Sequence, residues 1–224
     1  MIWLRRLSLL SLLLISAAPA PDPLILRIAD EAAAATPASL AFDRTARAMR
    51  SGGGTSTMTT ITDRWDGRRW TLITTNGRPP TATERSEHRR QAGALPIPGY
   101  HALAAVVAAA TGRRTDTDGR TFLVIAIMPP GSVHTDTDDI SAHLQGEVRL
   151  AEHGKQVFVD QLKVTAREGF KIKMLIKVTG FQQTSEYAVT DTDPPRLTSQ
   201  VSTSTGTMFG FPGGETATTT FVYR

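Results

Sequence analysis

His134, Asp136 and Asp138 are the residues whose types and spacing come nearest to a chemical site. Alternate residues of an extended chain point to one side, so an imidazole and two carboxylates would share a face. That set could hold part of a metal site and support a metal-assisted hydrolase. His143 would have to fold back to supply a second imidazole. The competing reading is an exposed acidic loop between strands. Asp136 and Asp138 also belong to one of three TDTD runs, Thr115–Asp118, Thr135–Asp138 and Thr190–Asp193. Their spacings differ and their flanks do not match, so they are not a structural repeat. Asp and Thr form turns through side-chain-to-backbone hydrogen bonds. Calcium takes about six to eight oxygens, and Asp116-Thr117-Asp118-Gly119 lacks the rest of an EF-hand loop.

Other catalytic signatures are missing. The chain has no G-x-S-x-G, P-loop, H-E-x-x-H or dinucleotide fingerprint. It has no cysteine, which excludes disulfides, thiolate metal ligands and thiol nucleophiles. The expectation is therefore a non-enzymatic protein without a cofactor. The net charge of +4 falls to +2 without Arg5 and Arg6. No aromatic-basic stacking motif accompanies it, so nucleic acid is not an expected partner. Arg85, His88, Arg89 and Arg90 form one small basic cluster, either a solvated face or a contact for an anion or headgroup.

The elements that must position such groups start after a leader. Residues 1–20 read as a secretory signal peptide, with Arg5 and Arg6 before the apolar Leu7–Ala18 and an A-x-A site at Ala18-Pro19-Ala20. Pro21 keeps a retained anchor open as the alternative. The expected location is the periplasm, and residues 21–224 are read as one domain.

One or two helices are predicted before Ser51, the second from Leu40, Phe42, Ala46 and Met49. A hairpin should follow, Thr55–Trp65 and Arg68–Thr75, turning at Asp66-Gly67. Thr81 and Glu84 have capping-box spacing for a short polar helix, within which Glu84 and His88 form an i, i+4 pair. Tyr100–Thr111 is a short apolar helix ending at Gly112. Arg120–Met128 is an unbroken apolar run, read as a central strand covered on both faces.

Leu144–Leu150 alternates. Gln156–Thr165 alternates with a slip at Asp160 and Gln161 that predicts a bulge. Gly169–Phe181, GFKIKMLIKVTGF, puts Ile172, Met174, Ile176 and Val178 on one face and Lys171, Lys173 and Lys177 on the other, as one strand. Thr184–Thr190, Leu197–Thr205 and Ala217–Tyr223 complete the set, with turns at Asp193-Pro194-Pro195 and Phe211-Pro212-Gly213-Gly214.

The expected class is α+β, mainly β, built on a curved antiparallel sheet. This order of helix, Thr-rich hairpin, apolar helix and long meander strands behind an export signal resembles the LolA/LolB-like periplasmic lipoprotein-carrier fold, which implies an unclosed half-barrel with helices over its concave face. Trp65–Gln91 is also similar to exported bacterial proteins in which a strand ending in W-x-L precedes an N-G-x-P-P turn and a polar helix. Leu144–Tyr187 looks like their central strands. The resemblance implies a half-barrel holding an acyl chain, and, more remotely, lipoprotein transport.

The leading expectation is a binding protein for an apolar or lipid-like ligand, with Trp70, Leu72, Phe122, Val124, Ile172, Met174, Ile176 and Val178 lining the cavity. Ordinary core packing is the competing role for each. The second reading is an envelope interaction protein that meets a partner through a sheet edge or the face of Lys171, Lys173 and Lys177.

Overall fold

The structure is a computed structural model describing residues 22–93, 96–135, 138–172, 176–189 and 194–224. The leader, Met174, Lys173, Asp136 and the TDTD run at 190–193 lie outside the described residues. Mainly β, the described residues build one antiparallel sheet of 11 strands that does not close into a barrel, together with three α-helices.

The elements run α1 (Pro23–Ala34), β1 (Phe42–Gly52), β2 (Thr55–Trp65), β3 (Trp70–Thr75), α2 (Ala82–Ala92), α3 (Leu103–Ala108), β4 (Gly112–Thr115), β5 (Thr121–Ile125), β6 (Leu144–His153), β7 (Gln156–Ala166), β8 (Phe170–Ile172), β9 (Ile176–Ala188), β10 (Arg196–Met208) and β11 (Phe211–Tyr223). Their order across the sheet is β3-β2-β1-β11-β10-β9-β7-β6-β5-β4. β8 pairs with β9.

Asp22 caps α1 by accepting the Leu24 N–H at 2.9 Å, and Pro23 suits the first turn. Ile25, Ile28, Ala29 and Ala32 recur at helical spacing and are buried. They join Leu103, Val106 and Val107 of α3 in a core with Leu123, Ile125, Val148, Leu150, Leu162 and Val164 of β5, β6 and β7. At the other end of the same core, Phe42 packs its ring 5.5 Å from each of Trp70, Phe221 and Tyr223.

The bulge predicted in β7 is present. Arg149 pairs with Gln161 and Leu150 with Val159, which leaves Asp160 as the extra residue. The Val159 N–H donates to the Tyr100 hydroxyl at 3.0 Å. Burial pushes the Tyr100 phenol up to about 12, against the opposing pull of the Val159 N–H. Tyr100→Phe should therefore leave a buried N–H unpaired and cost about 1–3 kcal/mol in urea unfolding.

Several expectations are corrected. Phe42–Gly52 is a strand between β2 and β11, not a second helix. Its helical stripe was accidental: Phe42 is buried, whereas Met49 is 53% exposed. The hairpin of β2 and β3 closes through four residues, Asp66–Arg69, with Trp65 opposite Trp70. Asp66 accepts the backbone N–H groups of Arg68 and Arg69 at 3.0 and 2.9 Å, so a side chain supplies the turn. Helix α3 ends before Gly112, which opens β4. Strand β5 lies next to the edge strand β4, and only its Leu123 and Ile125 face is buried.

The helix α2 does carry its capping box, Thr81 with Glu84. Glu84, however, pairs with Arg78 at 2.7 Å, while His88 reaches into the sheet. There its Nε2 lies 2.6 Å from Oδ2 of Asp63. Arg44 grips the same carboxylate with two bonds, of 3.0 and 2.6 Å, and its guanidinium rests 4.2 Å from the centre of the Trp70 ring. Asp63 is 1% exposed. Burial alone would raise its pKa, but the hydrogen bonds from His88 and Arg44 outweigh that and hold it below the ordinary value.

The stretch from Gly169 to Phe181 is not one strand. Ile172 lies opposite Ile176, Lys171 opposite Lys177 and Phe170 opposite Val178, so the chain reverses between Ile172 and Ile176. Residues paired across an antiparallel ladder point to the same face. An even separation therefore preserves the alternation whether the chain runs straight or turns back.

Candidate ligand-binding groove

Helices α1 and α3 pack over β7 and β5. The far ends of β1, β9, β10 and β11 enclose a separate open groove of about 650 Å³. Two tight turns shape its mouth. Gly53 and Gly54, at φ 57° and 78°, join β1 to β2, and Phe209 and Gly210, at φ 52° and 84°, join β10 to β11. Two successive positive φ angles follow the right-handed twist of the flanking strands. The second turn places Met208 opposite Phe211. Met208, Phe209 and Phe211 are all more than half exposed.

The groove's apolar wall comes from Ile176, Val178, Met208 and Phe211. Its polar rim carries Lys177 and the Arg50–Glu215 ion pair. The floor depends on glycine. At Gly206, where the pairing of β10 with β9 slips, an added Cβ would sit 2.1 Å from the Lys177 carbonyl oxygen. At Gly213 it would sit 2.7 Å from the Ser51 carbonyl oxygen. Side chains at these positions would force the strands apart. The volume falls in the range of about 300–1,000 Å³ usual for small-ligand sites.

No protein-family model, curated protein or solved structure matches this chain.

The predicted lining residues divide among three places. Ile176 and Val178 line the groove, and Ile172 lies beside it as the partner of Ile176. Trp70 and Leu72 are buried near the opposite edge, against a smaller hollow shared with Arg69, Arg85 and Arg89. Phe122 and Val124 face away from the helices, because their neighbours Leu123 and Ile125 take the core side. The Arg114 guanidinium covers the Phe122 ring at 4.2 Å. An unbroken apolar run carries no alternation, which is why its inward face could not be read.

Met208, Phe211 and Gly206 were not among the predicted lining residues. Phe211-Pro212-Gly213-Gly214 reads as a turn by composition, but these residues begin β11, and the turn is Phe209-Gly210. The signal available was the apolar run Met208-Phe209-Gly210-Phe211, unusual for a loop tip.

The loop of His134 is organised around Asp139. Its Oδ2 accepts the Gly131 N–H at 2.8 Å, and its Oδ1 accepts the Ser141 N–H at 2.9 Å and the Ser141 hydroxyl at 2.5 Å. The Ser141 hydroxyl, with help from the backbone N–H groups, lowers the Asp139 pKa. His134 forms an isolated bridge with Asp139, and His143 stacks on Phe170 with the rings 4.5 Å apart. Among the described residues, no three His, Asp or Glu side chains come together in a way that could hold a metal ion.

Proposed function

We propose that this is a non-enzymatic binding protein that takes an acyl chain or similar apolar ligand into the groove between β9, β10 and β11. The observation that carries this reading is the open hollow walled by Ile176, Val178, Met208 and Phe211, beyond the part of the sheet filled by α1 and α3. An apolar chain entering there would remove the exposed Met208 and Phe211 and the half-buried Ile176 from water at about 25 cal/mol per Å². Lys177 on the polar rim suits a ligand with an anionic end at the mouth. The reading of residues 1–20 as a secretory leader and the resemblance of the sequence to LolA/LolB-like carriers support an exported, periplasmic carrier.

Titration with dansyl-undecanoic acid tests the reading, together with solvent extraction and mass spectrometry of protein purified from its host envelope. Ile176→Asp should weaken the dansyl ligand at least tenfold with little change in melting temperature, because Ile176 is only half-buried. Equal binding by the variant, or no binding by the parent protein, would reject the groove as the site.

A further inference from the structure

The second hollow lies between α2 and the edge strand β3. About 270 Å³ in volume, it is lined by Arg69, Trp70, Thr71, Leu72, Arg85 and Arg89. Arg85 and Arg89 are four residues apart and share one side of α2. Arg69 enters from the β2–β3 loop. We propose that this hollow is an oxyanion site for a small phosphate monoester, whose organic part rests against Trp70 and Leu72.

Of the nearby acids, Glu84 and Asp63 are committed to other partners, and among the described residues no acid lines the hollow. Glu84 is held by Arg78 with bonds of 3.0 and 2.7 Å. Asp63 is held by Arg44 and His88. Asp66 accepts two backbone N–H groups, and its carboxylate stands 3.5 Å from Arg69. Arg85 gives one N–H to the Pro80 carbonyl. Among the described residues, neither Arg85 nor Arg89 has a carboxylate partner. Like charges at i, i+4 on a helix repel each other, and this pair faces one hollow together with a third guanidinium.

Planar guanidinium forks match the oxygens of a phosphate group and bind them in pairs. The capping box and the Arg78–Glu84 clamp fix the start of α2, and His88 fixes its middle to the sheet. The arginines are thus presented on an anchored helix. The volume is slightly below the usual range for drug-sized ligands, which favours a phosphate carrying a few carbons over a whole nucleotide. This hollow shares no residue with the groove, which is formed by other strands.

The test is calorimetric titration of the full-length protein with phenyl phosphate and with inorganic phosphate at low salt. A flotation assay compares phosphatidylcholine vesicles with and without phosphatidic acid. Phenyl phosphate should bind more tightly than inorganic phosphate. The double variant Arg85→Gln, Arg89→Gln should bind phenyl phosphate at least tenfold more weakly with an unchanged melting temperature. Arg68→Gln, an exposed arginine of the same loop but outside the hollow, should bind like the parent.

Flotation with phosphatidic acid that is lost in the double variant would identify a lipid headgroup as the source of the phosphate. Phenyl phosphate binding without flotation would identify a soluble monoester. Absence of phenyl phosphate binding, or an equal loss in Arg68→Gln, would overturn the site.

Discussion

Alanine at position 206 is expected to abolish ligand uptake in the groove and to cost about 3 kcal/mol or more, the upper end for overpacking. The added Cβ would meet the Lys177 carbonyl oxygen at 2.1 Å, its carbon at 3.1 Å and the Val178 Cα at 3.2 Å. These are backbone atoms of a paired strand, so no side-chain rotation relieves the contact. β9 and β10 would have to part at the point where their register already slips between Thr205 and Gly206. Ile176 and Val178 would move with β9, and the apolar wall would lose its geometry. Guanidinium unfolding reads the stability, and the dansyl titration reads the groove. Gly112→Ala is the control, since its added Cβ has nothing within 4 Å. Parent-like stability and binding in Gly206→Ala would show that the strands can separate at little cost.

Asp63→Ala should cost about 3–5 kcal/mol, the usual loss when one partner of a buried ion pair is removed. The change leaves the Arg44 guanidinium over Trp70 and His88 beneath α2, both without their carboxylate. The folded-state pKa of Asp63 lies below the ordinary 3.8. Its contribution is thus complete above the unfolded pKa and is lost as the pH falls through the folded one. The stability gap between the parent and Asp63→Asn should accordingly be widest near neutral pH and narrow below about pH 4. Urea midpoints at pH 7 and pH 3 measure this. A gap that widens on acidification would contradict the assigned direction.

Features governed by local chemistry were legible in the sequence. The capping box of α2 and the slip at Asp160 each leave a mark on a few neighbouring residues, and each is present. The mainly antiparallel sheet was legible from alternation and turn composition, and its unclosed form was expected from the family resemblance. What failed has one cause, that a two-residue period reports a face but not a partner. Ile172 and Ile176 share a face both in a straight strand and across a hairpin. In β1 the inward Arg44 hid the alternation, because its burial depends on Asp63, 19 residues away, and on Trp70. The groove was harder still. Its walls come from strand ends brought together only by pairing, and its floor comes from glycines that look like turn residues.

The strand order also has a kinetic consequence. The last strand, β11, sits between β10 and β1, with Phe42 opposite Tyr223 and Gly52 opposite Gly213. Until β11 forms, β1–β2–β3 is not paired with the rest of the sheet, and both β1 and β10 present a bare edge. Closing so long a loop places this domain among the slow folders. A chain emerging from its N-terminus cannot complete the sheet prematurely, and truncation of even the final strand would divide it in two.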